Sequence, residues 1–449
     1  MPEHCTAIIN ARIYCVDSQF RVLNPGTIIF EQGLITAVGP GESTVVPPGS
    51  RVIDGRNRLA VLPGLVDAHC HSSLLKGFSE SAQLMDWLPE YQREHQALRA
   101  EDAYYACLVT YMEALRGGTT TLLDMYRFMH EGNRAADLLG LRVHLVPYAA
   151  DNPGKAFFET LETTEQAIRD LDHCRGGRTR AWVGLEHITY CSEPMFRAAR
   201  DLADRYGVPI HTHTSEQREE VAAVIDLFGE RPVYKFRDWG ILKPGSLLAH
   251  CVWLDEGELE VLADTGTGVA HCPVSNMKLA SGPAPLAQFR QRGIPVALGT
   301  DGGVSNNAIS MWESMKSASL LQKVTHLDAT RIDAGEALRM ATIEGARVLG
   351  VGREIGSLEP GKQADLITVD LWQPHLMPLA EAEGHDPVLW NLVFAGRASD
   401  VRDAWVQGEQ LLAGGRFRRA DENALLEEIH AATVAFLERR RGFAPIPMV

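Results

Sequence analysis

Apolar and polar positions are patterned in three different ways along the chain. Up to about residue 56 they form short runs, TAIINARIYCVD, GTIIFEQGLITAVG and RVIDG. These are rich in β-branched residues, punctuated by Gly, Pro and Asn, and have no helical period. From Val61 onward, apolar runs of strand length alternate with helical stretches. The strands predicted are Val61–His69, Thr119–Asp124, Arg142–Tyr148, Ala181–Ile188, Val208–His213, Ser246–Cys251, Gly268–Cys272 and Ile294–Asp301. Helical spacing fills the intervals, as in Ala100–Arg116, Ser192–Tyr206, Ser215–Leu227 and Ala308–Leu321. Such alternation over roughly 250 residues predicts an α/β fold of the TIM type, a (β/α)8 barrel. After Ala334, helical segments such as GEALRMATIEGARVLG lead back to short strands, ADLITVD at 364–370 and VRDAWVQGEQLLAGGRF at 401–417. The early strands have no partners nearby in sequence. Pairing them with the late ones predicts one small β-sandwich made from both chain ends. Residues 1–58 and 356–449 would form it, around a barrel over 59–355, with an amphipathic outer helix at Asp421–Arg441. No repeat or low-complexity linker interrupts this plan.

The stretch VLPGLVDAHCH, residues Val61–His71, carries the first chemistry. In a strand, residues i and i+2 point to the same face, so His69 and His71 can reach one metal ion while Cys70 packs on the other side. Later apolar runs also end in polar groups: His213 with Glu216 three residues on, His250, and Asp301. All fall at the carboxyl ends of predicted strands, where barrel enzymes keep their chemistry.

Composition narrows the class. The 449 residues are 45% apolar, ample for a large core. Lys and Arg number 43 against 58 Asp and Glu, a net charge of −15, and the only basic run, Arg439–Arg441, sits in a predicted helix. That excludes a nucleic-acid footprint and favours neutral or cationic small ligands. Eight cysteines without a CxxC pair fit a reduced cytoplasmic compartment. The N-terminus lacks the pattern of a signal peptide, and no apolar run is long enough to span a membrane, so no membrane partner is expected.

Taken in order and spacing, LPGLVDAHCH, HTHTSE, LLAHCVWLD, HCPVSN, LGTDGGVSNN and IGSLEPGKQADLITVD resemble the amidohydrolase superfamily. Within it they resemble the branch of S-adenosylhomocysteine/methylthioadenosine deaminases and atrazine chlorohydrolase. The resemblance spans essentially the whole chain. It implies a metal-dependent barrel with a composite β-sandwich, one divalent ion per chain (zinc, or else iron), and hydrolytic deamination of a nitrogen heterocycle. It also implies that His69, His71, His213 and Asp301 hold the metal, that Glu216 shuttles protons, that Asp301 takes a proton from water, and that His250 contacts substrate. Three imidazoles, one carboxylate and an open position make a catalytic rather than structural zinc site.

Other residues are read against that set. His211 shares a face with His213 and is placed one layer deeper, and His271 is read as structural. Ser305 and Asn306 serve either as supporting hydrogen-bonders or as turn residues. Trp87 faces substrate or forms part of the core or a lid. The stretch AWVGLEHITYC holds no lysine that could bridge two metals, which favours a mononuclear site. The adenosylhomocysteine deaminases carry an arginine after the third strand for the substrate carboxylate, whereas HLVPYAAD offers none and Lys155 is distant. Glu186 or His187 stands near where those enzymes have Pro-His. The expected function is a cytoplasmic aminohydrolase, a homo-oligomer, acting on a purine, pterin or triazine. The alternatives are a hydrolytic dehalogenase on the same scaffold and a non-catalytic scaffold, whose expected signature, loss of the metal ligands, is absent.

Overall fold

The apolar run from Leu59 to His71 is cut in two by Gly64. Leu59–Pro63 pairs antiparallel with Leu366–Asp370 and parallel with Thr6–Tyr14, whereas Leu65–His71 turns into another sheet beside Thr119–Tyr126. A Cβ on Gly64 would sit 2.0 Å from Thr120 Oγ1, so no larger residue fits this crossing. The computed structural model in which this is seen describes residues 5–78, 84–151, 157–381 and 384–445, the side chains of 84–86 excepted. Lys155 lies outside the described residues.

Each of the eight runs predicted after Val61 contains a strand, and these strands form two five-stranded parallel sheets. One holds Asp301–Gly302, Leu65–His71, Thr119–Tyr126, Arg142–Pro147 and Thr179–Ala181 in that order. The other holds Val183–His187, Ile210–Thr214, Leu247–His250, Gly268–His271 and Val296–Leu298. The sheets meet where two predicted strands are interrupted. At Trp182 the N–H donates to Leu145 O at 3.0 Å, and at Gly299 the N–H donates to His271 O at 2.9 Å. The architecture is therefore α/β, but the hydrogen-bonded ladder breaks at Trp182 and at Gly299–Thr300 and does not run unbroken around a cylinder. Most of these strands are buried along their full length, as expected where helices cover one face and a packed interior the other. The helices are set by local signals. Glu193–Tyr206 begins at Ser192, whose Oγ accepts from Met195 N at 3.3 Å, and ends at Gly207 in the left-handed region.

The third sheet joins the two chain ends. Among the described residues it has nine strands, running Arg416–Phe417, Glu409–Ala413, Val401–Val406, Leu366–Asp370, Leu59–Pro63, Thr6–Tyr14, Val22–Glu31 and Leu34–Pro40, with Arg51–Asp54 beside Thr6–Tyr14. Phe30 and Trp405 lie four strands apart in this order. In a flat sheet, spacings of about 4.8 Å would separate them by roughly 19 Å, yet their ring centroids are 5.9 Å apart. The single sheet therefore folds over on itself around a second core of Ile8, Ile13, Ile28, Leu366 and Trp405. Leu59–Pro63 belongs to it, so the chain passes between the sheets at Gly64.

The last helix, Glu422–Arg440, buries only Ile429 and Phe436. Arginines hold it as much as its apolar face does. Arg440 meets Glu90 at 2.8 Å on the helix Leu84–Ala97, and Arg439 pairs with Asp102. On that same helix Glu94 is buried, and burial pushes its carboxyl from 4.5 up to about 8. The folded chain thus keeps a proton that the unfolded chain releases near pH 4.5. Stability from this group is fully present below that pH and is lost as the pH rises through about 8. Glu94→Gln stays neutral, and its Tm should vary less with pH between about 5 and 8.5 than that of the wild type; thermal unfolding across that range checks this.

Candidate active site

Carboxyl ends of strands bring the polar residues together. His69 and His71 project from Leu65–His71, His213 from Ile210–Thr214, His250 ends Leu247–His250, and Asp301 begins the short strand beside Leu65–His71. They gather at the floor of a cavity of about 460 Å³ that is also lined by Trp87, Tyr91, Tyr148, Glu186, Tyr190 and Glu216. His69 lies just beneath, fully buried.

The ring orientations follow from hydrogen bonds at the back of each imidazole. His71 Nδ1 donates to Met125 O at 2.6 Å, and His213 Nδ1 donates to Glu186 O at 2.5 Å. Each Nε2 therefore carries a lone pair, and the two face one another at 3.0 Å. His69 is fixed by a second ring. His211 Nδ1 donates to Leu247 O at 2.9 Å, so its Nε2 accepts from His69 Nδ1 at 2.8 Å. His69 Nε2 is left as a buried lone pair without a hydrogen-bond partner. Asp301 Oδ1 stands 3.5 Å from His71 Nε2 and 3.7 Å from His69 Nε2. Three convergent nitrogen lone pairs and one carboxylate are unfavourable together unless a cation sits among them. The donor set fits a divalent metal with imidazole and carboxylate ligands. Within 4.8 Å of one another lie two sets, His69, His71 and Asp301, and His69, His213 and His250.

Charge states suit that reading. Burial, with neighbouring rings adding to it, holds His69 and His213 well below their ordinary range, so both are neutral. Burial opposes ionisation of Asp301, but His250, His71 and hydrogen bonds from Ser275 and Gly302 outweigh it and lower its pKa. Ser275 Oγ donates to Asp301 Oδ2 at 2.6 Å. Glu216 goes the other way, since burial raises its carboxyl. Its Oε1 accepts from Ser281 Oγ at 3.1 Å, and its Oε2 lies 3.7 Å from His250 Nε2. His250 is raised despite burial, by Glu216 and Asp301, and its Nδ1 donates to Asn276 Oδ1 at 3.0 Å.

Four non-glycine residues here adopt left-handed backbone: Ser215, His250, Cys251 and Asp301, with φ of 52°, 70°, 50° and 62°. Such positions are strained and cluster where function over-determines geometry. The turn at Asp301 is held from below. Asp67 Oδ1 accepts Thr300 N–H at 3.0 Å and Oδ2 accepts Thr300 Oγ1 at 2.5 Å, while Asn306 Nδ2 donates to Thr300 O at 2.6 Å. Ser305 lines the cavity and donates to Gly302 O. Both predicted turn residues thus brace this strand end.

The aromatic wall is continuous. Trp87 stacks on Tyr91 (centroids 4.8 Å, 15°), Tyr91 meets His95 edge-on, and His95 stacks on Tyr148 at 5.3 Å. Trp87 is therefore both packed and cavity-lining. His271 is buried, hydrogen-bonds through neither ring nitrogen, and is not among the cavity-lining residues. Arg127, after the strand Thr119–Tyr126, donates to His95 O at 2.6 Å and lies 3.6 Å from Glu159. Sequence reasoning placed His211 in the right layer but gave it no role. It also passed over Asp67, Ser275, Asn276, Ser281 and Tyr148. Asp67 alternates with His69 and His71, and Ser275 and Asn276 lie within HCPVSN, so those signals were in view.

Comparison with known proteins agrees with this geometry. Residues 60–411 match the model of the Amidohydrolase family. A 5'-deoxyadenosine deaminase from Methanosarcina mazei is 35% identical over 439 residues, covering 96% of this chain and 98% of that protein. A 5-methylthioadenosine/S-adenosylhomocysteine deaminase from Nitratidesulfovibrio vulgaris is 39% identical over 449 residues, covering 98% and 100%. The crystal structure of an adenosine deaminase from Xanthomonas campestris with bound zinc superposes with a TM-score of 0.89 at 30% identity, covering 99% of this chain and 100% of that one.

The role of His211 is open to test. His211→Leu removes the acceptor behind His69 while filling a similar volume. Metal affinity, measured by competition with a chromogenic chelator, should fall roughly 10- to 100-fold, the usual effect of losing such a supporting hydrogen bond. An unchanged affinity would mean that His69 is oriented by packing alone.

Proposed function

Because the chain belongs to the amidohydrolase family, we propose that it is a metal-dependent aminohydrolase that releases ammonia from the six-position of an adenosine-type nucleoside. The observation that carries this reading is the convergence of three imidazole lone pairs and the Asp301 carboxylate beneath a cavity whose wall holds a protonatable Glu216. One divalent ion, zinc in our reading, would be held by His69, His71, His213 and Asp301 and would supply a Lewis acid that brings the pKa of water to about 7.

The rest falls to the chain's own groups. Asp301, kept ionised by its surroundings, accepts the proton of the attacking water at Oδ1. Glu216 donates a proton to the ring nitrogen next to the attacked carbon, takes one from the new hydroxyl as it becomes the carbonyl and carries it to the departing amine; the proton held by Asp301 then returns to Glu216. Its raised pKa suits an acid that must hold a proton near neutrality. His250, steadied by Asn276, directs Nε2 toward the oxygen that gains charge at the tetrahedral carbon. Trp87, Tyr91, Tyr148 and Tyr190 offer flat faces for the base and apolar flank for the sugar. Water and the amine are exchanged for a ring carbonyl and ammonia.

Among the described cavity-lining residues there is no lysine or arginine; Glu186 and Asp301 are carboxylates, and His187, which burial opposes but Glu220 raises to about 9, is paired with the Glu220 carboxylate at 3.1 Å. We therefore favour a neutral 5'-substituent, as in 5'-deoxyadenosine or methylthioadenosine, over a carboxylate-bearing tail. We read the two parallel sheets as the halves of one eight-stranded barrel, and the strands before Gly64 and from Leu366 to Phe417 as a single β unit. No described helix is long and apolar enough to cross a membrane, and all eight cysteines are free; we place the enzyme in the cytoplasm.

Ammonia release from adenosine, 5'-deoxyadenosine, methylthioadenosine and S-adenosylhomocysteine, with metal analysis of the same sample, tests the reading. About one metal ion per chain is expected, with activity lost on chelation and restored by zinc. Efficiency on S-adenosylhomocysteine should not exceed that on methylthioadenosine. A preference for the carboxylate tail of tenfold or more, about 1.4 kcal/mol, would overturn this and point to a cationic partner for the carboxylate, such as the cavity-lining His187. A second prediction separates proton transfer from metal binding. Glu216→Gln should keep its metal while kcat falls by roughly two to four orders of magnitude, and His213→Ala should lose both metal and turnover. Deamination near wild-type rate in Glu216→Gln would remove Glu216 from the mechanism.

A further inference from the structure

Glu216 sits on a three-residue turn between the strand Ile210–Thr214 and the helix Arg218–Phe228, with Ser215 held in left-handed backbone. Such a turn has to be held in place from outside. Three successive N–H groups converge on one buried carboxylate: Ser215 donates to Glu220 Oε1 at 2.7 Å, and Glu216 and Gln217 donate to Oε2 at 2.6 and 3.4 Å. An acid at the third position of a helix commonly caps in this way. Capping does not explain the fourth partner. His187 Nε2 lies 3.1 Å from Glu220 Oε1, and His187 comes from the end of a neighbouring strand and lines the substrate cavity. The residue before it, Glu186, orients His213 through its carbonyl and accepts from Tyr148 OH at 3.1 Å through its carboxylate.

We propose that Glu220 is a positioning residue for Glu216, and that its pairing with His187 ties the proton carrier to the wall of the cavity that receives substrate. The inference rests on the proposed function for its chemistry, but its geometry is independent of that reading. Ser281 holds the carboxyl end of Glu216 and Glu220 holds its backbone, so the side chain is fixed at both ends. A ligand pressing on His187 reaches Glu216 through one carboxylate. Glu220 touches no reacting atom in this scheme; it acts only through the residue it places.

The test compares wild type, Glu216→Gln, Glu220→Gln and the double variant, each metal-loaded, on adenosine and on 6-chloropurine riboside. Glu220→Gln should lower kcat on adenosine roughly 10- to 100-fold with KM changed less than about threefold and metal content unchanged, since only a transition-state interaction is disturbed. The loss should be smaller on the chloride, whose leaving group takes no proton. In the Glu216→Gln background, adding Glu220→Gln should change kcat by less than about threefold, because residues acting through one group are not additive. His187→Ala should show part of the same kcat loss, and His187→Gln, which keeps an N–H donor, should recover most of it. Amide hydrogen exchange should quicken at Ser215–Gln217 in Glu220→Gln. Equal losses in both backgrounds, loss of metal, or unchanged exchange at the turn would each overturn the proposal, leaving Glu220 as a helix cap. Wild-type protein that releases no ammonia from adenosine would instead overturn the proposed function, and the exchange comparison would still decide whether Glu220 holds the turn.

Discussion

Everything at the site depends on which nitrogen of each imidazole faces inward, and the backbone makes that choice. A neutral imidazole has one donor and one acceptor, so committing Nδ1–H to a fixed carbonyl turns Nε2 into a lone pair aimed the other way. Met125 O and Glu186 O do this directly for His71 and His213, and Leu247 O does it for His69 through His211. These carbonyls belong to the strands Thr119–Tyr126, Val183–His187 and Leu247–His250. His71 and His213 are thus oriented by main-chain atoms that a side-chain substitution leaves in place. Side chains contribute in two places: His211 relays the Leu247 carbonyl to His69, and Ser275 Oγ joins the Gly302 N–H in holding Asp301.

That rigidity is joined to local strain. The chain reverses at Ser215, His250, Cys251 and Asp301 through left-handed backbone that disfavours side chains, each position costing on the order of 1–3 kcal/mol. What offsets this is a set of buried hydrogen bonds one layer below. Ser215 O accepts from both Val252 and Trp253 N–H, and Asp67 grips Thr300 with both oxygens. One break in the parallel ladders lies next to the strained turn at Asp301. At Gly299, a Cβ would come within 2.9 Å of His69, and the strand interrupts its pairing before Asp301 swings over the centre.

Much of this was legible in the sequence, and the limits have physical causes. Alternation in strands put His69 with His71, and the carboxyl ends of later runs pointed to His213, His250 and Asp301, because those signals are local. Depth is not local. His211 was placed beneath His213 by spacing, but its partner is 142 residues away, and only the folded sheets bring the two rings to 2.8 Å. The apolar run from Val61 to His69 reads as one strand because a single glycine does not interrupt hydrophobic patterning, although Gly64 divides it between two sheets. The early strands were expected to find no partners nearby, yet Thr6–Tyr14 pairs with Val22–Glu31 and Arg51–Asp54, and Val22–Glu31 with Leu34–Pro40; the two chain ends join through Leu59–Pro63 and Leu366–Asp370. The final helix was expected to dock through an apolar face, yet arginines at its end do much of the holding, an interaction that periodicity does not encode.

The junction at Gly64 also bears on how the chain is made. Leu59–Pro63, which leads through Gly64 into the strand carrying His69 and His71, has as its neighbour on one side Leu366–Asp370, encoded about 300 residues later. While the protein is being synthesised, Leu59–Pro63 can pair with Thr6–Tyr14 but waits for Leu366–Asp370 before its second edge is covered. Contacts this distant in sequence form slowly and late. A chain stopped short of Leu366 would therefore carry every metal-binding and acid–base residue named above, but would lack the strand that covers Leu59–Pro63 just before Gly64.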